Sequence, residues 1–392
     1  MLTRMAPATA HNFGHAHTLE RRLARVAALA ADRRRGPRAG GAPAIFAASP
    51  SQLQALATPR QVETLLQAPP ELAVHIARTQ HWLAQANPAG SRTLWTLGDA
   101  DYPPLALQLA DPPLLLYVEG RAVLDAQRLW AAPALAIVGS RNPTHQGRQT
   151  AQHMAQALCS AGCTVVSGLA LGIDGAAHQG ALDAAASRAS PAGLTVAVVG
   201  TGLDRVYPRQ HQALARGIAE HGLLLSEYPL GTPPLAAHFP QRNRLIAALG
   251  LGTLVVEAAL HSGSLITAEL ALELGREVMA VPGSIHAPQS RGCHALIRQG
   301  ATLVESVQDV WQALGPLAPN AALPTPTHAS PAFASGSDDD TLLQHLGFDP
   351  VSLDALQARC GLDTATLQAR LLTLELDARV GRLPGGLFQR LG

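Results

Sequence analysis

Short apolar runs alternate with longer amphipathic stretches through the middle of the chain. Six runs are aliphatic or β-branched and short enough for strands buried on both faces: 135–138, 164–166, 195–199, 223–226, 253–256 and 278–281. Between most of them the apolar residues recur at helical spacing, as from Gln146 to Ala161. Strands that alternate with helices predict an α/β fold, with a doubly wound, mostly parallel sheet and right-handed crossovers.

The pattern changes on both sides of this region and predicts five segments. Residues 1–18 are expected to be a disordered leader, and 19–92 an N-terminal helical domain. The α/β domain spans 93–314 and begins with a proline-punctuated stretch that holds one more strand at 114–118. A Pro- and Ser-containing linker, 315–340, leads to a compact unit at 341–392. Three helices and two short strands around Pro384 predict a winged helix there.

Composition narrows the class of protein. The chain has 392 residues, 47% of them hydrophobic, and only four cysteines, which form no paired framework. We therefore expect a reduced, cytoplasmic location and more than one domain. No apolar run reaches the roughly 18 residues of a membrane helix. The net charge of +1 gives no global basic field, and arginine supplies all 29 basic residues.

Gly139-Ser140-Arg141 follows the first of the six strands directly and precedes a helix. Unpaired backbone N–H groups and the helix dipole at such a place favour an anion, most often a phosphate. The arginine inside the turn adds a guanidinium. The turn therefore predicts a phosphate-bearing ligand, held by backbone amides and Arg141.

Three further Gly/Ser turns follow other strands. Their candidate ligand-binding residues, with those of the first turn, are Gly139, Ser140, Ser167, Gly168, Gly200, Gly202, Ser262, Gly263 and Ser264. Ligands on parallel sheets lie beyond the carboxyl ends of the strands, so the four turns together predict a phosphate-lined groove. The alternative is that each glycine only permits a tight turn.

Loop arginines next to aromatic residues supply the basic partners of the groove. The candidates are Arg141, Arg209 after Tyr207-Pro208, and Arg242, Asn243 and Arg244 after Phe239-Pro240. Guanidinium groups pair with phosphates, and aromatic side chains stack on bases, which suits a nucleic acid. For Arg242 and Arg244 the alternative is a structural ion pair with Glu227 or Glu257.

Several kinds of site are not predicted. The turn after the first strand lacks the G-x-G-x-x-G spacing of a dinucleotide site, and a chain without lysine has no P-loop lysine. We find no metal-ligand spacing, no nucleophile motif and no sign of a cofactor. Asp174 is interpreted as a helix N-cap and His178 as a packed residue, so no catalytic residue is expected.

The ordered motifs of this chain resemble the DNA-processing protein A (DprA/Smf) family. They are GSR at 139–141, SGLALGIDGAAH at 167–178, GTGLDRVYP at 200–208, FPQRNRLIA at 239–247, VVEA at 255–258, SGSLITA at 262–268, AVPG at 280–283 and SRGC at 290–293. The resemblance implies an extended Rossmann-like domain that binds single-stranded DNA, forms a homodimer and loads the RecA recombinase in natural transformation. It implies no catalysis, and it makes Arg141 and Arg209 the principal DNA contacts.

Some positions depart from the family pattern. His211 and His294 stand where the family often has asparagine, and Gly250 where serine is common. We expect these changes to retune the groove, with pH sensitivity through histidine, without removing it.

An enzyme is the competing class, because Rossmann-like hydrolases of nucleoside monophosphates are similar in outline. Their catalytic glutamate has no counterpart here: Thr267 comes three residues after Ser264, and the first acid is Glu269. A nucleotide-sensing module is a third possibility. Apolar helical faces at 265–274 and 294–299 predict the dimer contact, and the mixed charges of the winged helix favour contact with protein over DNA.

Overall fold

The computed structural model describes residues 49–54, 59, 62, 71–85, 87, 89–186, 194–315, 338–347, 349–377 and 379–390. The expected leader, most of the helical pattern before residue 71 and nearly all of the expected linker lie outside the described residues. The chain divides into two compact units, Met1–Ala321 and Ala322–Gly392.

The described residues of the first unit form a nine-stranded sheet in the order β1-β2-β6-β5-β4-β3-β7-β8-β9. Strands β3 to β9 run parallel to one another, whereas β1 and β2 are antiparallel at one edge. The predicted mostly parallel sheet is therefore confirmed. Two edge strands, β1 and β9, have no counterpart in the predicted set. The strands are β1 Ser91–Thr96, β2 Leu115–Gly120, β3 Ala134–Val138, β4 Thr164–Ser167, β5 Thr195–Val198, β6 Leu223–Ser226, β7 Gly252–Val255, β8 Glu277–Ala280 and β9 Thr302–Leu303.

Helices cover both faces of this sheet. The described helices of the first unit are α1 Pro50–Gln54, α2 Leu72–Ala84, α3 Ala126–Ala131, α4 His145–Ser160, α5 Ile173–Ala186, α6 Gln212–His221, α7 His238–Leu249, α8 Gly263–Glu273, α9 Arg291–Arg298 and α10 Val307–Leu314. Single 3-10 turns occur at Pro104–Gln108, Arg121–Asp125, Arg209–His211 and Pro288–Ser290. Along the described residues, no helix combines the length and the apolar character needed to cross a membrane.

Alternation along the central strand β3 explains the two layers. Leu135 and Ile137 are fully buried with α4, α5 and α10 on one face. Ala136 and Val138 are buried with α7 and α8 on the other. Successive side chains of a strand point to opposite faces, so a run that is apolar at every position needs helices on both sides.

Helix α2 packs on the antiparallel edge of the sheet. Trp82 on α2 and Tyr117 on β2 are buried, with ring centroids 6.1 Å apart in an edge-to-face arrangement. Arg78 donates a hydrogen bond to the carbonyl of Leu230 at 3.1 Å. These contacts join the last helix of the predicted N-terminal domain to the α/β domain.

The second unit is a small helical domain with a three-stranded antiparallel sheet, β10-β12-β11. Its elements are α11 Asp338–Leu346, β10 Val351–Ser352, α12 Leu353–Cys360, α13 Thr364–Leu376, β11 Val380–Leu383 and β12 Leu387–Arg390. Gly385 and Gly386, both at positive φ, make the tight turn of the hairpin. Its core includes Leu356, Leu371 and Phe388. The predicted winged helix is confirmed.

Candidate functional site

The four Gly/Ser turns lie at one edge of the sheet, because each follows one of the parallel strands β3, β4, β5 and β7. The first and last turns meet across a cleft of about 510 Å³, whereas the turns after β4 and β5 do not line it. Its walls are the loop after β3, the start of α7 and the start of α8. The cleft brings together the predicted residues Gly139, Ser140, Arg141, Arg242, Asn243, Ser262, Gly263 and Ser264.

Arg141 and Phe239 form the outer part of this cleft. The side chain of Arg141 is exposed, and its guanidinium carbon lies 5.7 Å from the centroid of the Phe239 ring. The Tyr207 ring, 47% exposed, lies 5.5 Å from Phe239 between centroids. Arg209, also exposed, begins the 3-10 turn just beyond Pro208. We call Arg141, Phe239, Tyr207 and Arg209 the basic-aromatic strip.

No ion pair to a described residue neutralises the two arginines of the strip. The salt bridges formed by arginines in the described parts of the first unit use Arg92, Arg128, Arg205 and Arg244. The strip therefore presents two exposed positive charges and two aromatic rings. These groups match the phosphates and bases of a nucleic-acid strand.

Glu257, which follows β7, occupies the helix end beside the Gly139–Arg141 turn. Its carboxylate accepts hydrogen bonds from Thr144 N at 2.9 Å and from Thr144 Oγ1 at 2.5 Å. Thr144 is the N-cap of α4, and its hydroxyl oxygen accepts from Gly147 N at 2.9 Å. The expectation that amides at this helix end hold a ligand phosphate is corrected, because a buried carboxylate of the protein already lies there.

The turns after β4 and β5 are also closed by internal bonds. Gly168 N donates to Asp174 Oδ2 at 3.1 Å, and Ser167 Oγ donates to the carbonyl of Ile137 at 2.6 Å. Gly202 N donates to the carbonyl of Thr232 at 3.2 Å, and Gly200 is buried. The amides of Gly168 and Gly202 are therefore already bonded within the protein. At these two glycines the structure favours the alternative, a tight turn, over a phosphate-lined groove.

The turn after β7 stays at the cleft surface. Ser262 caps α8, with its hydroxyl oxygen accepting from Ser264 N at 3.3 Å and lying 2.7 Å from the Ser264 hydroxyl. Gly263 is exposed, and Asn243 donates from Nδ2 to its carbonyl at 3.3 Å. The hydroxyls of this turn and Asn243 give the cleft a polar wall opposite Arg141.

Arg242 is 4% exposed and ties strand ends together beneath the cleft. Its guanidinium donates to the carbonyl of Gly168 at 2.6 Å and to the carbonyl of Val198. Burial lowers the pKa of Arg242 to about 10, an effect that the neighbouring Asp174 opposes. Burial raises the pKa of Asp174, which the Arg242 charge and the amides of Gly168 and Ala170 oppose.

This geometry corrects two expectations. Arg242 was predicted as a DNA contact, with Glu227 or Glu257 as its alternative partners, but its hydrogen bonds go to backbone carbonyls near Asp174. Asp174 lies within the first turn of α5, which begins at Ile173, so it is not the N-cap of that helix. It accepts instead from the amides of the loop before α5.

Arg244 forms a structural ion pair. Its Nη2 donates to both carboxylate oxygens of Glu227, at 2.7 and 2.6 Å, and its Nη1 donates to the carbonyl of Asp111 at 3.0 Å. The structure therefore shows the ion pair with Glu227 that was the alternative to a DNA contact for this arginine. Its guanidinium is already matched with a carboxylate.

His178 is fully buried, and its Nδ1 lies 2.7 Å from Thr195 Oγ1. Burial lowers its pKa to about 3, so the imidazole is neutral at physiological pH. Its interpretation as a packed residue holds. Cys159 and Cys163 are likewise buried in the core. Among the described residues, no cluster of His, Cys, Asp or Glu could hold a metal ion.

The histidines that depart from the family pattern bond to backbone near the site. His211 lies two residues after Arg209 in the chain, and its Nδ1 is 3.0 Å from the carbonyl oxygen of Leu169. His294 Nε2 lies 3.0 Å from the carbonyl of Gly283.

Asn142 and His261 line the cleft but were not predicted from the sequence. Asn142 directly follows the Gly139–Arg141 turn, and His261 lies in the loop after β7. These positions are the sequence signal that could have identified them.

Comparisons with known proteins agree over most of the chain. Residues 93–315 match the family described as DNA recombination-mediator protein A, and residues 326–386 match the DprA winged helix domain. Protein Smf of Escherichia coli is 40% identical over 316 residues, which cover 78% of each chain. The DNA processing protein DprA of Streptococcus pneumoniae is 46% identical over 212 residues, 54% of this chain and 71% of the relative.

Two solved structures of DNA processing protein A are similar to parts of this chain. The X-ray structure of DNA processing protein A from Streptococcus pneumoniae aligns with a TM-score of 0.53 and 38% identity, over 64% of this chain and 84% of that one. A structure of DNA processing protein A from Helicobacter pylori, described by its single-stranded DNA binding mode, aligns with a TM-score of 0.48 and 31% identity. It covers 56% of this chain and 94% of that one.

Proposed function

The chain belongs to the DNA recombination-mediator protein A family, and from that membership we propose that it binds single-stranded DNA along the basic-aromatic strip. The single observation that carries the proposal is that Phe239 contacts both the Arg141 guanidinium and the Tyr207 ring. Arg209 follows Tyr207 by two residues in the chain. Two exposed cations can meet successive phosphates, while the rings between them can stack on bases. The polar cleft beside Arg141 offers room for a base or a sugar.

A single strand suits this surface better than a duplex. Stacking on Phe239 or Tyr207 requires a base whose face is free, and the bases of a duplex are already stacked on each other. The net charge of +1 gives no broad basic field for a duplex backbone. Binding is therefore local, through a short stretch of strand.

We propose that the protein protects incoming DNA and loads the RecA recombinase in natural transformation and recombination, with no catalysis of its own. The competing activity is hydrolysis of nucleoside monophosphates. Thr267, at the position where that class needs its acid, is buried, and Glu269 is exposed on α8. Incubation with AMP should release no adenine. Release that Glu269→Ala abolishes would favour the hydrolase.

We also propose a homodimer through α8 and α9 and a cytoplasmic location. Two exposed apolar side chains on α8, Ile266 and Leu272, and the exposed Leu260 shortly before that helix support the contact. The winged helix carries Asp354, Asp363, Glu375 and Asp377 beside Arg359, Arg370, Arg379 and Arg382. This balance supports a protein partner for it. Light scattering should give about twice the chain mass of 40.8 kDa.

The decisive experiment is a titration of a labelled single strand at two salt concentrations. Affinity should fall steeply with salt if phosphates are neutralised, and AMP should not compete at equal nucleotide concentration. A nucleotide-sensing module would instead bind AMP as tightly as the strand.

A further inference from the structure

Glu257 lies where the sheet offers its best anion site. In folds of this type the N-terminus of a helix that follows a Gly-rich turn binds the phosphate of a nucleotide, through unpaired amides and the positive end of the helix dipole. Helix α4 has 16 residues and follows such a turn. Glu257, 9% exposed, fills this place with a carboxylate supplied by the chain itself.

Three donors at this helix end are bonded to the carboxylate or to the cap that it holds. Thr144 gives both its amide and its hydroxyl proton to Glu257, and Gly147 N donates to the Thr144 oxygen. The backbone of Glu257 contributes as well, since Ser140 N donates to its carbonyl at 2.7 Å. One residue therefore satisfies the cap of α4 and anchors the turn that carries Arg141.

Gly147 provides the room for this carboxylate. A Cβ at residue 147 would lie 2.3 Å from Glu257 Cδ, closer than any real contact. Glycine is a poorer helix former than alanine, so its presence within α4 fits a requirement for space. The notch in the helix and the buried acid belong to one arrangement.

We propose that Glu257 is a specificity-determining residue that makes the site select a polynucleotide backbone over free nucleoside phosphates. Its negative charge and its hold on the cap of α4 close that end to a terminal phosphate. The only cation beside the turn in the described cleft that stays exposed is Arg141, which meets a phosphate at the surface, where a strand can continue toward Arg209. The ligand class rests on the proposed function, but the closed anion site is a property of the chain alone.

The test measures thermal unfolding of the full chain in inorganic phosphate or AMP against chloride of equal ionic strength. We expect Glu257→Ala to gain a phosphate-dependent rise of roughly 2–4 °C at about ten times its Kd, because a ligand that binds only the folded state stabilises it. The unsubstituted chain should show no such rise. Thr144→Val is the matched control, since it disrupts the same cap while keeping the carboxylate, and it should not respond either.

A Glu257→Ala variant without a phosphate response, or a response of equal size in Thr144→Val, would overturn the inference. Should Glu257→Ala not fold, Glu257→Ser, which keeps a polar group, takes its place with the same two outcomes. The readout involves no DNA. A chain that fails to bind any single strand would therefore refute the proposed function while leaving this result to stand or fall separately.

Discussion

The guanidinium carbon of Arg141 lies 5.7 Å from the ring centroid of Phe239, across the mouth of the cleft. The contact joins a turn after β3 to the start of α7, two segments about a hundred residues apart in the chain. An arginine over an aromatic face stays exposed to an incoming phosphate while its orientation is restricted.

Arg141→Ala and Arg209→Ala should each weaken single-strand binding about tenfold to a hundredfold on all sequences alike. Charge-assisted bonds to phosphate contribute roughly 1.5–3 kcal/mol, and each phosphate that the protein neutralises on a single strand contributes about −0.7 to the salt slope, so the loss of one contact should flatten that slope. Titrations at several salt concentrations give both quantities. Arg209→Lys should be milder, because a point charge still holds a phosphate.

The control for these two variants is Arg128→Ala, on α3 before β3. Arg128 is exposed and pairs only weakly, at 3.9 Å, with Asp125. It precedes β3, at the opposite end of that strand from the strip. Its loss should leave affinity and salt slope unchanged. Normal binding by the Arg141/Arg209 double variant would move the DNA site elsewhere.

Arg242→Met should act on stability first. The change leaves the carbonyls of Gly168 and Val198 without their donor and Asp174 without its neighbouring cation, and removing one partner of a buried charge pair costs about 3–5 kcal/mol. Calorimetry should show a fall in Tm of roughly 6–20 °C. Arg141→Ala, an exposed side chain, should leave Tm almost unchanged. Equal Tm values for the two variants would mean that Arg242 is not structural.

His178 should make the stability of the α/β domain depend on pH. Its pKa is about 3 when folded and near 6.5 when unfolded, so the unfolded state binds more protons between these values. Stability from this residue is therefore complete above pH 6.5 and is lost as the pH falls toward 3. Between pH 7 and pH 5 the loss is about 2 kcal/mol.

Denaturant unfolding of His178→Gln should show a shallower fall over the same pH range. His153, exposed on α4, is the matched control. His153→Gln should keep the slope of the unsubstituted chain. If both variants lose the slope equally, or neither does, the pH dependence comes from other groups.

Deletion of residues 341–392 should leave single-strand affinity within a few-fold. The winged helix forms its own core and falls in a separate compact unit, while the basic-aromatic strip belongs to the first unit. The same titration on the shortened chain checks this. A hundredfold loss would place DNA contacts on the wing.

The order of strands and helices, and the winged helix, could be predicted from the local hydrophobic pattern. A strand that is buried on both faces needs an apolar run of strand length, and such runs are visible in the sequence. The edge strand β1 was not predicted, because its sequence SRTLWT has only two buried positions. Its register is set by pairing with β2. Arg141 and Arg209 could be proposed from the sequence because both belong to loops that the pattern places after strands.

What the sequence by itself determined was the set of elements and the loops that carry the chemistry. The tertiary structure alone decided which of four similar arginines stay exposed and which anion lies at the end of α4. Arg242 and Arg244 stand two residues apart on one helix, yet one is buried beneath the cleft and the other pairs with Glu227. Glu257 reaches Thr144 across 113 positions of chain. Hydrogen bonds between residues so far apart in the chain depend on the order of the strands in the sheet. The local periodicity of the sequence does not determine that order.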